Sequence, residues 1–249
     1  MDLYRYFIQL SYKGTSYHGW QIQPNAISVQ EVVEKTLSTV LRETVEVVGA
    51  GRTDTGVHAS FFVLHFEVKE ELSNFENLVY KLNSLLPNDI AFQKIWPVAN
   101  DLHARFSAIS RTYKYYISTK KNPFRTETSF KYLLPLDIDK MNDASHILAE
   151  FEDFTSFSRL HTDVKTNNCK ILWAEWEVIN TQIIFTIKAD RFLRNMVRAI
   201  VGTLLEVGKG KLSLNDFRKI IEAKDRAAAG ASAPAKGLFL VDVEYPEGK

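Results

Sequence analysis

Eleven residues, Gly49-Ala50-Gly51-Arg52-Thr53-Asp54-Thr55-Gly56-Val57-His58-Ala59, constrain this chain more than any other stretch. An apolar run, Val45 to Val48, leads in, and an alternating run, Val57 to Val68, leads out. Between them stand Gly49, Gly51 and Gly56. A strand therefore enters, the backbone turns tightly where glycine alone tolerates positive φ, and a strand leaves. Such a turn projects Asp54 from a constrained backbone, one carboxylate beside the guanidinium of Arg52. Residue types alone leave two readings open. Asp54 forms an Asx turn and bonds backbone N–H groups, or it is presented to a reacting partner.

The bulk numbers bound the classes. A chain of 249 residues suits one large domain or two of ordinary size. Hydrophobic residues at 45% and charged residues at 24% are those of a globular protein. No apolar run approaches the ~20 residues that cross a bilayer. Met1 to Tyr6 carries no signal-peptide core, so a cytoplasmic location is expected. Cys169 is the only cysteine, which excludes an intrachain disulfide and a cysteine-rich zinc site. The net charge of +1 advertises no polyanion partner, so any RNA surface must be a local gathering of basic residues.

Periodicity organises the first hundred residues. Tyr4 to Tyr12 alternates like a half-buried strand. Ser28 three residues before Glu31 has capping-box spacing and opens a helix along Val29, Val32, Val33, Leu37, Val40 and Leu41. Val45–Val48 and Ala59–Val68 are strands around the motif. A helix from about Ser73 to Leu85 is stopped by Pro87, and Ile90 to Trp96 is a further strand. The order β-α-β-β-α-β is the split βαβ, or ferredoxin-like, arrangement.

The second half repeats that order without repeating residues. Strands are expected over Thr112–Ser118, Ile171–Ile179 with Ile183–Ala189 as a hairpin, and Leu238–Val243; helices over Asp139–Ala149, Arg191–Val207 and Leu214–Ala223. Loops with Asn122-Pro123 and with Arg159 to Asp163 read as insertions. The expected architecture is α+β: two ferredoxin-like halves, 1–105 and 106–249, with antiparallel sheets side by side around a central RNA-binding cleft.

The string at 52–58 resembles the Arg-Thr-Asp-Ala-Gly-Val-His motif of the TruA-type tRNA pseudouridine synthases, with Thr55 in place of alanine. The resemblance runs over nearly the whole chain. Ser11 to Gln23 is similar to the family's Tyr-Asp-Gly-Thr…Gly-Trp-Gln signature, with Lys13 for the acid. Asp101 to Ala108 resembles its Phe-His-Ala-Arg-Phe segment, with Leu102 for phenylalanine, and Arg111 to Tyr115 its Arg-x-Tyr-x-Tyr strand. Asp153 to Phe157, Asn195 to Arg198 and Ala233 to Leu238 follow in the same order.

The resemblance implies an enzyme that isomerises uridine to pseudouridine at positions 38, 39 and 40 of the tRNA anticodon stem-loop, without a cofactor. It implies Asp54 as nucleophile, Arg198 as its ion-pair partner and Arg52 as a catalytic-site cation filling the stem or holding phosphate. Tyr113 would stack on the uracil, Leu238 would floor the pocket, and His58 and Arg105 would contact substrate. A homodimer gripping one tRNA is also implied.

Blander readings stand beside these. Tyr113, Tyr115 and Tyr116 can all be packing residues. Arg191, Arg194 and Arg198, at spacings of three and four, can be one solvated helical stripe. Gly202, one turn on, leaves room for a close segment. His18, His58, His65, His103 and His161 lack any His-x-x-x-His or Cys-x-x-Cys spacing, so no metal is expected; no phosphate-binding glycine loop is present either. Two other classes remain: a non-catalytic RNA-binding factor on the same scaffold, and a hydrolase or lyase using Asp54 with a histidine.

Overall fold

A computed structural model describes residues 3–159 and 166–246. Most of the expected 159–163 insertion, with His161, lies outside the described residues. The chain divides into two compact units, residues 1–109 with 240–249, and residues 110–239. Both mix helices with mostly antiparallel strands.

In the first unit the order is β1 (Tyr4–Tyr12), α1 (Val29–Leu41), β2 (Val47–Gly49), β3 (His58–Val68), α2 (Phe75–Leu85) and β4 (Ile90–Pro97). β1 lies between β3 and β4, antiparallel to both, and β2 pairs with β3. Tyr6, Ile8, Leu10 and Tyr12 alternate along β1 and are all buried. Phe7, on the opposite face, is buried too, edge-on to Trp96 and Tyr245 at 5.8 and 5.2 Å. Each such fully buried large side chain contributes about 1.5–3 kcal/mol relative to exposure. α1 begins as its sequence dictates: the Ser28 hydroxyl accepts from the Glu31 N–H at 3.2 Å. α2 starts after Asn74, whose side chain accepts from the Asn77 N–H and whose φ of 53° already lies outside the helix.

The second unit runs β5 (Ser110–Ser118), β6 (Phe130–Lys131), α3 (Ile138–Ile147), β7 (Ile171–Ile179), β8 (Gln182–Ala189), α4 (Met196–Gly208) and α5 (Leu214–Glu222). β8 pairs antiparallel with β5 on one side and β7 on the other. β9 (Leu238–Glu244) starts in this unit and ends in the first.

One expectation fails. α4 begins at Met196, not Arg191. Asn195 sits at φ 65°, in the left-handed region that asparagine tolerates better than most residues. Upstream, the Asp190 carboxylate accepts the N–H groups of Lys170 and Arg191 at 2.8 and 2.7 Å and holds the chain out of helix. Arg191 and Arg194 therefore share no helical stripe with Arg198. Asparagine carries only a modest helix penalty, so periodicity alone runs through it. α4 itself is buried on nearly every side, from Met196 to Gly208, the pattern of a core helix rather than a surface one.

Candidate active site

Asp54 lies on a turn between β2 and β3, closed by the Val57 N–H donating to the Asp54 carbonyl at 3.1 Å. Gly56 supplies the positive φ of 76° that this reversal requires. The turn is gripped from outside itself. The Gly56 N–H donates to the Tyr17 carbonyl at 3.3 Å, and the Trp20 N–H donates to the Thr53 carbonyl at 3.2 Å. The Thr53 and Tyr12 hydroxyls bond at 2.9 Å, both buried. All three of these clamps reach from Tyr12–Trp20, so the N-terminal signature is the cradle of the Asp54 turn.

That cradle is close-packed. A Cβ on Gly19, whose φ is 91°, would stand 2.3 Å from the Thr53 carbonyl oxygen. One on Gly14 would meet the Val57 carbonyl oxygen. The Gly14 N–H instead donates to Nδ1 of His58 at 3.0 Å, and His58 is fully buried. With Nδ1 as acceptor, the proton of a neutral His58 sits on Nε2. Trp20 stacks on Phe62 at 4.2 Å and covers the base of the turn. Tyr17 is buried, its hydroxyl donating to Asp89 at 2.6 Å; burial and then that carboxylate push its pKa up, so it stays a neutral donor. Arg52 and Thr55 are exposed and Asp54 half-buried. The extra bulk of Thr55 over alanine points to open space and costs nothing in packing. Lys13 is likewise exposed.

Arg105 belongs to a second rigid loop of the same unit. The His103 Nδ1 accepts from the Arg105 and Phe106 N–H groups at 3.1 and 3.2 Å, and the His65 Nδ1 from the Ala104 N–H at 3.1 Å. Arg105 itself is exposed, its guanidinium 5.5 Å from the exposed Phe106 ring. His65 is 5% exposed. Burial first, then the nearby His103 and the Arg5 cation, lower its pKa from 6.5 to about 4.

The remaining expected site residues lie in the second unit. Tyr113, half-buried on β5, meets Phe192 edge-to-face at 5.1 Å. Tyr115, two residues on, is fully buried and donates to the Pro234 carbonyl at 2.9 Å, with Gly237 against its ring. Tyr116 is half-buried, edge-on to Phe239 at 5.2 Å. Half-buried Arg198 donates from Nε to the Ala233 carbonyl at 2.8 Å, and the Ala233 N–H returns a bond to the Arg198 carbonyl at 2.9 Å. The segment for which Gly202 leaves room is residues 231–233, whose Ala231 carbonyl any Cβ there would strike. Leu238 is 5% exposed at the start of β9. The side chains of Asn195 and Ser232 bond at 2.6 Å and tie the same segment to the α4 cap.

The sequence left Gly14, Gly19 and Asn195 without structural roles. The glycines stood inside a quoted signature, and that was the signal available. Among the described residues no group of three or more His, Cys, Asp or Glu could hold a metal ion. No helix among them is long and apolar enough to cross a membrane. Cys169 is 2% exposed, and burial pushes its thiol up to about 12, so it offers no thiolate nucleophile.

A family model described as tRNA pseudouridine synthase matches residues 9–107 and 151–246. The chain is 59% identical over 248 residues to the tRNA pseudouridine synthase A of Bacteroides fragilis, covering 99% of this chain and 98% of that one. It is 57% identical over 243 residues to that of Parabacteroides distasonis, covering 98% and 96%. Against that of Exiguobacterium sibiricum it is 38% identical over 245 residues, covering 98% of each.

Proposed function

The chain belongs to the tRNA pseudouridine synthase A family and isomerises uridine to pseudouridine in tRNA; from that premise we propose that Asp54 is its nucleophile. The observation that carries the proposal is the cradle: a carboxylate on a turn clamped by Tyr12, Tyr17, Trp20 and His58 is held for chemistry, since no such rigidity is needed to decorate a surface. The N1–C1′ bond of the uridine breaks, the uracil turns, and C5 bonds to C1′. The C5 proton leaves and N1 gains one, so atoms balance without an added reagent. Asp54 forms the transient covalent bond, at C1′ or at the uracil C6.

A base stacked in a stem is out of reach, so the target nucleotide is flipped out to meet Asp54. We assign Arg198 as the cation that accompanies the Asp54 carboxylate, a role resting on the resemblance of Asn195 to Arg198 to the family's segment. Tyr113 stacks on the uracil, its ring set by Phe192. Arg52 fills the vacated stem or holds phosphate, Arg105 contacts the RNA backbone, and Leu238 supplies apolar surface. His58 stays with the substrate-binding residues and also positions the site through Gly14, whose N–H its Nδ1 accepts.

The same resemblance supports positions 38, 39 and 40 of the anticodon stem-loop as targets, a homodimer, and a cytoplasmic location. It supports two ferredoxin-like halves, residues 1–105 and 106–249, and for the first the pairing sequence β4-β1-β3-β2 agrees with that reading. The test is tritium release from 5-tritiated uridine in unmodified tRNA, with Asp54→Asn beside the native chain. The variant is expected to fold and bind tRNA but release no label. Release at a tenth of the native rate would remove Asp54 from the nucleophile's role.

A further inference from the structure

The loop after β5 carries Lys120, Lys121, Asn122, Pro123, Phe124 and Arg125. Phe124 is 93% exposed, more than any other exposed large hydrophobic side chain among the described residues. An exposed phenyl ring on a floppy loop would be unremarkable, but this loop is built. The Asn122 side-chain oxygen accepts the Phe124 N–H at 2.9 Å, and the Asn122 carbonyl accepts the Arg125 N–H at 3.2 Å. The Arg125 carbonyl accepts the Ser129 hydroxyl at 2.9 Å, which also bonds the Ser118 hydroxyl at 2.7 Å at the end of β5. Lys236 donates to the Thr126 carbonyl at 2.9 Å. Pro123 opens a single 3-10 turn with Asn122 as its cap. The backbone is thus fixed around a ring left almost wholly exposed among the described residues.

The sequence around the ring is basic. Lys120, Lys121, Arg125 and Lys131 stand against one acid, Glu127, in a chain whose net charge is only +1. Lys120, Lys121 and Lys131 are exposed. An aromatic face among cations suits a nucleic-acid strand whose bases are unstacked: the base lies on the ring and its phosphates meet the cations. Five residues of β5 separate Tyr113 from Ser118, roughly 17 Å of strand at ~3.4 Å per residue. Phe124 follows Ser118 in the chain, on the loop that leaves the strand carrying Tyr113.

We infer that Phe124 is a stacking platform for an unpaired nucleotide of the tRNA other than the target uridine, with Lys120, Lys121 and Arg125 on its flanking phosphates. The inference rests on tRNA being the substrate and adds where else on the chain that tRNA is held.

The experiment measures tRNA binding and steady-state tritium release for the native chain, Phe124→Ala, Phe124→Trp, Lys120→Ala with Lys121→Ala, and Tyr80→Ala. Tyr80 is the control, 73% exposed on α2 and outside any basic run. Phe124→Ala is expected to raise Kd and KM for tRNA about 5- to 100-fold, with kcat at saturating tRNA within about twofold. Phe124→Trp should return affinity to near native. The double lysine variant should make log Kd against log salt shallower by about 1–2. Tyr80→Ala should bind like the native chain. Native affinity in Phe124→Ala overturns the platform, as does a loss of the native oligomer in that variant, which would make the ring a contact between copies. A native chain that neither binds tRNA nor releases label overturns the functional reading as well. Full native activity beside an unaffected Phe124→Ala overturns the platform alone.

Discussion

Replacing Gly19 by alanine tests whether the N-terminal cradle, and not the motif alone, positions Asp54. Gly19 lies thirty-five residues before Asp54 and makes no part of its turn, yet its φ of 91° is one that an L side chain rarely adopts. That conformation costs alanine about 1–2 kcal/mol. The new Cβ would also begin 2.3 Å from the Thr53 carbonyl oxygen, so the two backbones must part by roughly 1 Å to reach ordinary contact. That movement strains the bond from the Trp20 N–H to the same oxygen, worth about 0.5–1.5 kcal/mol net. The sum is a loss of about 2–3 kcal/mol, or a fall in Tm of roughly 4–12 °C for a chain of this size. Because Thr53 precedes Asp54, the same displacement moves the carboxylate, and 1 Å of misplacement costs up to ~100-fold in turnover.

Tritium release at saturating tRNA and a thermal melt read the two effects. Gly51→Ala makes the comparison sharp: Gly51 lies inside the motif, but a Cβ there meets nothing within 4 Å. Its melting temperature should stay within about 2 °C of native, as expected for a change under ~0.5 kcal/mol. A Gly19→Ala protein with native turnover and native Tm would refute the cradle.

Arg198→Met removes the Nε bond to Ala233 and the proposed partner of Asp54. Turnover is expected to fall by about 100-fold or more, with Arg198→Lys recovering part of it; a variant that loses stability but keeps its rate would return Arg198 to a purely structural role. His65 gives the acid response. Its folded pKa of about 4 lies below the ordinary 6.5, so the stability from keeping it neutral is complete above pH 6.5 and is lost as pH falls toward 4. The full loss is about 3 kcal/mol; urea midpoints should drop between pH 7.5 and 4.5, less so in His65→Gln, and equal slopes in both proteins would contradict the assignment. With 31 basic and 30 acidic residues, tRNA affinity must come from local patches. It should weaken steeply between about 50 and 200 mM salt, and a flat log–log plot would argue against phosphate contacts.

What depends on neighbours along the chain was legible before any fold was known. β1 follows from period-two alternation, and α1 from its serine cap, because those signals lie within a few residues. The motif around Asp54 was legible as a string, and with it the chemistry its family performs. Other decisions belonged to tertiary structure. The start of α4 rests on the Asp190 carboxylate reaching Lys170, twenty residues before it, as well as the adjacent Arg191, and on Asn195 turning left-handed. Periodicity registers neither. That Gly14 and Gly19 exist to let Val57 and Thr53 approach, that His58 serves Gly14, and that Ala231 lies on Gly202 are facts of contact between segments 29–44 residues apart. A glycine in a sequence announces that a side chain is unwelcome; only the folded chain shows what stands in its place.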